Sequence, residues 1–135
     1  MNRRVARIKS VQALYQVEMT GVDPAEAIEA TLEQDEQSSD FLIKLVNGTL
    51  DHQEEIDGRL EGALDHWSLD RLSRIDRAIL RQCVFEMMNL EDVPVNVSIN
   101  EAIDLAKGFN ADEEAGKFVN GVASRIAAEL NENNE

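Results

Sequence analysis

The sequence has few of the residue types that define disulfide-rich, β-sheet or membrane proteins. Cys83 is the only cysteine, which excludes an intrachain disulfide and a cysteine-based zinc site. Aromatic residues make up only 4% of the chain, and β-favouring threonine and tyrosine are scarce. No stretch approaches the ~18 apolar residues of a membrane span, and the first residues do not resemble a secretory signal. We therefore expect a cytoplasmic protein that has no contact with a membrane.

The composition favours an all-α fold in one domain. The 135 residues are 43% hydrophobic, and alanine, leucine, glutamate and isoleucine, all common in helices, are abundant. A chain of this length buries about two thirds of its unfolded surface, which suffices for a core without disulfides. We expect a single domain over residues 1–130, followed by a frayed polar tail at 131–135.

Apolar spacing with a helical period predicts six or seven helices. Gly21 is a natural C-terminal stop, and Asp23 followed by Pro24 is a strong restart. Ser73 with Asp76, and Ser98 with Glu101, resemble capping boxes at two further helix starts. The segment from residue 40 to 64 forms either one bent helix or two abutting helices. The predicted helical segments are 5–19, 24–34, 40–64, 74–88, 98–107 and 113–130.

Basic residues are concentrated at the start of an acidic chain. The formal net charge is −14, yet Arg3, Arg4, Arg7 and Lys9 precede Glu18, the first acidic residue. A basic segment on an acidic body is typical of a protein that contacts a polyanion, because the acidic remainder limits non-specific binding. An ordinary solvated helix start is the alternative interpretation, since arginine and lysine form helices well.

A second basic group lies in the predicted core helix. Arg74, Arg77 and Arg81 share one helical face, and Arg71 precedes them. These arginines either pair with acids of neighbouring helices or bind a polyanion.

If the first helix lies beside the core helix, Arg4, Arg7 and Arg81 would form one cationic surface. Gln12, Gln16 and Tyr15 would then lie beside the cations, a combination that suits single-stranded RNA. Tyr15 could equally be a core aromatic residue.

The sequence offers little for catalysis. His52 and His66 are 14 residues apart and have no metal-ligand spacing. Cys83 lies in an apolar run and is expected to be buried packing rather than a nucleophile. No glycine cluster precedes a helix start to bind a phosphate. We therefore expect no enzymatic activity, no metal site and no cofactor.

Several segments together resemble the NusB family of transcription antitermination factors. No single segment decides the resemblance, but together they follow the family's order from Arg3 to about Ile126. The most specific set is 99–102 (INEA) with 117–121 (KFVNG). The other matching segments are 12–15 (QALY), 67–72 (WSLDRL), 76–81 (DRAILR), 93–94 (VP), 105–107 (LAK) and Val122.

The resemblance implies a fold of two small helical bundles and a non-catalytic, RNA-binding role in transcription. The implied RNA is boxA, a single-stranded element of the ribosomal RNA leader. The implied protein partner is NusE, a small-subunit ribosomal protein, and the two would join RNA polymerase with NusA and NusG. Some family members self-associate, so a homodimer is a further possibility.

Residue by residue, the resemblance assigns two groups of contacts. Asn100 and Glu101 are interpreted as capping residues rather than ligand contacts. The protein-partner residues are Tyr15, Asp76 and Arg77. The RNA-binding residues are Arg3, Arg4, Arg7, Gln12, Arg81, Lys117, Phe118 and Asn120, with Lys9 a weaker candidate.

The chain departs from the family pattern at its basic start and before Lys117. Val5 and Ala6 interrupt the arginine run, and the stretch 110–116 is unusually acidic. An alternative function is therefore a protein-only acidic scaffold that recruits a basic ribosomal protein, with arginines that serve only the structure.

Overall fold

The computed structural model describes residues 1–65 and 68–133, and these form seven α-helices and one 3₁₀ turn without a β-strand. This confirms the all-α prediction. The first three helices are α1 (Arg3–Thr20), α2 (Pro24–Thr31) and α3 (Asp40–Asp51). The remaining elements are α4 (Gln53–Ala63), the 3₁₀ turn (Leu69–Arg71), α5 (Arg74–Asn89), α6 (Val95–Asn110) and α7 (Glu113–Asn133).

The predicted stop and restart after α1 are confirmed. Gly21 has a φ of 71°, and its N–H donates to the carbonyl of Val17 over 2.9 Å. This left-handed conformation costs glycine least, so the helix ends there. The Asp23 carboxylate accepts from the N–H of Ala25 over 2.8 Å, and Pro24 occupies the first turn of α2.

The segment from residue 40 to 64 forms two helices that meet at His52. The backbone at His52 has φ −105° and ψ 13°, which ends α3 and begins α4. The Nδ1 atom of His52 lies 2.8 Å from the carbonyl of Gly48, and this contact fixes the ring at the junction. Gly48 itself lies against the ring of Phe85, where a Cβ atom would come within 2.1 Å of the Phe85 Cζ atom.

The predicted start of the sixth helix at Ser98 is wrong. α6 begins at Val95, because Pro94 has the fixed backbone angle that suits a helix start. Ser98 therefore lies within the helix, where it is buried and donates through Oγ to Glu86 over 3.0 Å. Glu101 makes an ion pair with Arg4 instead of capping the helix.

α5 is the central helix of the molecule. It packs against α1, α3, α4, α6 and α7, while α1, α2 and α3 also pack on one another and α7 packs on α4 and α6. Ile79, Leu80 and Val84 of α5 are completely buried. Cys83 beside them is also buried, and burial raises the pKa of its thiol, as expected for a packing residue.

The last helix is longer than predicted, because α7 continues to Asn133. Residues 134 and 135 of the polar tail lie outside the described residues, as do His66 and Trp67, the first residue of the matching segment 67–72. Within the described part of the chain, no helix is long and apolar enough to cross a membrane.

Candidate nucleic-acid interface

The first turn of α1 presents two exposed arginines. The Asn2 side chain caps the helix by accepting from the N–H of Val5 over 2.8 Å, and no acid follows in the first turn. The Arg3 guanidinium lies 4.5 Å from the centre of the Phe41 ring and 3.0 Å from the Asp92 carboxylate. This partner lowers the pKa of Asp92, chiefly through the hydrogen bond from Arg3.

Arg4 is held by two carboxylates of α6. Its Nε atom donates to Glu101 over 3.2 Å, and a terminal nitrogen donates to Asp104 over 2.7 Å. The hydrogen bond and charge of Glu101, followed by the charge of Asp104, raise the pKa of Arg4. The Arg4 side chain is nevertheless 60% exposed, so water competes for these ion pairs.

Arg7 is buried, and the prediction that it binds RNA phosphates is wrong for this structure. It is only 3% exposed and makes a two-pronged ion pair with Glu86, which is 2% exposed. Arg7 donates to Glu86 through Nε over 3.1 Å to each oxygen and through a terminal nitrogen over 2.7 Å. Removing Arg7 from this partner would leave two uncompensated charges in the core, a cost that phosphate contact cannot offset.

Arg81 of α5 lies beside the last part of α1, whereas Arg4 lies in the first turn of that helix. It donates to Asp57 over 2.8 and 2.9 Å and to Glu18 over 3.0 Å. Glu18 is fourteen residues after Arg4, which corresponds to about 21 Å along the helix axis. The predicted common cationic surface of Arg4, Arg7 and Arg81 is therefore wrong, since one member is buried and the other two are far apart.

The arginines of α5 instead converge on one carboxylate. Glu18 pairs with Arg77, with Arg81 and, over 3.6 Å, with Arg74. Arg77 also donates to the carbonyls of Leu69 and Leu72, each over 3.1 Å, and so fixes the 3₁₀ turn. The contacts therefore support the interpretation that these arginines pair with acids of neighbouring helices. An RNA contact by Arg81 stays a prediction.

Stability should depend on pH through Glu18. Burial alone would raise the pKa of Glu18, but the ion pairs with Arg77, Arg81 and Arg74 outweigh burial and lower the pKa below 4.5. A lowered pKa stabilises the fold above the unfolded pKa, and this contribution is lost as the pH falls through the folded pKa. Glu18→Gln is therefore expected to cost about 1 kcal/mol at pH 7 and less at pH 3.

Urea unfolding of both proteins at the two pH values measures this difference. Glu29→Gln is the matched control, because Glu29 is exposed and makes no ion pair with any described residue. A gap between wild type and Glu18→Gln that widens towards pH 3 would contradict the assignment.

The predicted protein-partner residues lie on α1 and α5. Tyr15 is half-buried on α1 rather than fully enclosed in the core. The Asp76 carboxylate accepts from the Asn110 side chain over 3.0 Å. The backbone N–H of Asp76 donates to the Ser73 hydroxyl over 3.0 Å, which confirms the predicted cap. Arg77 is committed to Glu18 and the 3₁₀ turn, so its contact with a partner stays a prediction.

α7 contributes a third group of predicted residues. Lys117 is 73% exposed, and its only ion pair among the described residues is with Glu114 of the same helix, over 3.2 Å. Phe118 is half-buried beside it and lines an open cavity of about 370 Å³ between α4 and α7. Asn120 is exposed and accepts from Ser124 over 2.9 Å. Gln12 on α1 is also exposed.

Exposure separates the cations that can exchange partners from those that cannot. Arg3, Arg4 and Lys117 are more than half exposed, so their ion pairs contribute little and a phosphate can replace the carboxylate. Among the described lysines and arginines, only Lys44, Arg59 and Arg71 make no ion pair. No group of three or more metal-ligating side chains occurs in the residues that the structure describes.

Comparison with known proteins identifies the family. A family model described as the NusB family matches residues 4–128. The chain belongs to the NusB family. It is 53% identical to the transcription antitermination protein NusB of Shouchella clausii (strain KSM-K16), over 92% of each chain. It is 48% identical to the protein of the same name from Bacillus subtilis (strain 168), over 96% of this chain and 98% of the relative.

Solved structures show the same NusB-family fold. A structure of NusB from T. maritima superposes with a TM-score of 0.86 at 34% identity, covering 96% of this chain and 92% of that one. The crystal structure of antitermination factors NusB and NusE in complex with double-stranded RNA contains a chain with a TM-score of 0.83 and 35% identity. It covers 94% of this chain and 96% of that one. The predicted family and fold are thereby confirmed.

Sequence reasoning missed the acidic partners of the NusB-family arginines. Glu86 and Arg7 both lie among apolar residues in the sequence. Such positions face the core, and this could have predicted that the two charges pair inside the protein. Asp92, Glu101 and Asp104 carried no such signal, because they are three among 27 acids. Nothing in the sequence indicated that the Phe41 ring lies 4.5 Å from the Arg3 guanidinium and 5.2 Å from the Arg7 guanidinium.

Proposed function

We propose that this chain is a non-catalytic transcription antitermination factor that binds single-stranded boxA RNA of the ribosomal RNA leader together with NusE. The observation that supports it most is the pair of exposed arginines in the first turn of α1. Relatives named transcription antitermination protein share about half of their residues with this chain. A structural neighbour of the same fold is described in complex with NusE and RNA.

The electrostatics of the candidate interface favour RNA contact at the exposed cations. A cation at a helix N-terminus faces the positive end of the helix dipole, so Arg3 and Arg4 gain nothing from their own helix. Asp92 and Asp104 are more than half exposed, and Glu101 keeps 20% of its side chain exposed, so water already competes for these ion pairs and exchange for phosphate costs little. Lys117 would add a third phosphate contact, and Phe118 could stack an unpaired base.

NusE would supply the second half of the assembly. The negative net charge of −14 slows approach to RNA, so a basic partner would raise the rate and affinity of RNA binding. Tyr15 of α1 and Asp76 in the first turn of α5 are the proposed contacts. The assembled pair would act on RNA polymerase in the cytoplasm with NusA and NusG.

Titration of boxA RNA with and without NusE tests this function. With three to five phosphates held, the logarithm of the affinity should fall against the logarithm of salt concentration with a slope of about −2 to −3.5. A scrambled single strand and a duplex of the same length are the controls. Equal affinity for boxA and scrambled RNA in the presence of NusE would contradict the proposal.

The protein-only scaffold is the second candidate, and one observation favours it. Every arginine of the two basic groups except Arg71 already has an acidic partner. A complex with NusE that forms normally but never retains boxA RNA would favour the scaffold.

A further inference from the structure

A groove between α1 and α6 lies beside the first-turn arginines. Its volume is about 260 Å³, and Ile8, Leu105 and Phe109 form its apolar surface. Ile8 is 37% exposed and so presents part of its apolar side chain to this groove. Gly108 also lines the groove, and there is open space where its Cβ would be. We call this feature the α1–α6 groove.

The rim of the α1–α6 groove carries more acid than base. Glu101 and Asp104 stand on α6, and Arg4 is the only cation that lines the groove. One arginine therefore bridges two carboxylates, over 3.2 and 2.7 Å. The rim retains a net charge of −1, which repels a nucleic acid and attracts a basic group.

We propose that the α1–α6 groove binds a protein segment in which an apolar side chain is flanked by lysine or arginine. The apolar side chain enters between Ile8 and Phe109, and the partner's cation takes the place of Arg4 at Glu101 and Asp104. Arg4 is thereby released to bind an RNA phosphate. Arg4 thus couples partner binding to RNA binding. This inference rests on the proposed function.

Two features favour a protein segment over RNA as the occupant. The groove is apolar with an acidic rim, whereas RNA sites combine cations with aromatic rings. The groove is also continuous with the proposed partner region, because Asn110 follows Phe109 and donates to Asp76 over 3.0 Å. A basic partner such as NusE can therefore cover both places at once.

The exchange at Arg4 makes the two binding events cooperative. Without partner, an RNA phosphate must compete with two carboxylates for Arg4, and with partner it does not. Coupling between two ligands is reciprocal, so RNA must strengthen partner binding by the same factor. Because Arg4 is 60% exposed and its partners Asp104 and Glu101 are 55% and 20% exposed, water weakens these ion pairs, and this factor should be about threefold to tenfold.

The double variant Glu101→Gln/Asp104→Asn tests the exchange. It frees Arg4 permanently and removes the site for the partner's cation. Compared with the control, RNA binding without NusE should become at least about threefold tighter, while NusE binding becomes weaker by a similar factor. Glu26→Gln/Glu29→Gln is the control, because it removes the same charge from exposed positions on α2 that make no ion pair with a described residue.

Combining Arg4→Gln with the double variant completes a mutant cycle that tests whether Arg4 is the residue released. In an Arg4→Gln background, the double variant should no longer tighten RNA binding beyond the control. If the double variant and the control tighten RNA binding equally, only overall charge matters and the exchange at Arg4 is refuted.

Ile8→Asp tests the groove itself. It should weaken NusE binding at least about tenfold, because it places a charge in the apolar contact. Ile43→Asp, at a similarly exposed isoleucine of α3, should not. If Ile8→Asp abolishes only self-association, measured by sedimentation, a second copy occupies the groove and the proposal is wrong.

These outcomes separate the inference from the proposed function. Wild-type protein that never binds boxA RNA, even with NusE, contradicts the proposed function. Wild-type protein that binds both, with coupling unchanged in the double variant, contradicts only the exchange at Arg4.

Discussion

Glu86→Ala is expected to lower the free energy of unfolding by about 3–5 kcal/mol, because it leaves the Arg7 charge buried without a partner. Glu86 accepts three hydrogen bonds from Arg7 and one from Ser98, and none of these donors has access to solvent as a substitute. For a domain of this size, the midpoint of thermal unfolding should fall by about 10–20 °C. Urea unfolding at pH 7, with the helical signal as readout, measures the loss.

Two variants show whether the buried charge is the cause. Arg7→Met/Glu86→Leu removes both charges and fills the space, so it should recover most of the stability. Arg4→Met removes an exposed arginine from the same helix and should change stability by less than about 1 kcal/mol. A double variant that is no more stable than Glu86→Ala would contradict this explanation.

Gly48→Ala is expected to destabilise the protein by about 1–2 kcal/mol, although alanine normally stabilises a helix relative to glycine. The new Cβ would lie 2.1 Å from Cζ and 2.4 Å from Cε1 of Phe85. Phe85 is 2% exposed, so its ring can move only by disturbing the core. The steric cost therefore exceeds the gain of about 1 kcal/mol in helix propensity.

Glycines in the adjoining helix provide the control for Gly48. A Cβ at Gly58 or Gly62 of α4 would meet nothing within 4 Å, so alanine at these positions should be stabilising by about 0.5–1 kcal/mol. Phe85→Leu removes the ring, and in that background Gly48→Ala should no longer be destabilising. Gly48→Ala that stabilises wild-type protein as much as Gly58→Ala does would contradict the steric argument.

Local signals in the sequence were sufficient for the fold class and for most helix ends. Gly21, Asp23 and Pro24 act through their own backbone geometry, so the end of α1 and the start of α2 could be predicted. The junction at His52 could not, because a ring contact with the Gly48 carbonyl fixes it. Ser98 was misassigned because its hydroxyl serves a distant carboxylate rather than its own helix end.

The candidate site was harder to predict, because a charge in a sequence carries no information about its partner. Arg4 and Arg7 are three residues apart on α1, yet one is exposed and the other lies in the core. Their partners are about 80 to 100 residues away along the chain, at Glu86, Glu101 and Asp104. Only the packing of α1 against α5 and α6 decides which arginine remains available.

RNA binding by this protein depends on the difference between exposed cations, which exchange carboxylates for phosphate, and buried cations, which do not. The most direct measurement is the salt dependence of boxA RNA affinity, with NusE present, for wild type and Arg3→Gln/Arg4→Gln. Each lost phosphate contact should reduce the slope by about 0.7, so the double variant should differ from wild type by about 1.4. An unchanged slope in a folded double variant would show that the first turn of α1 does not bind RNA.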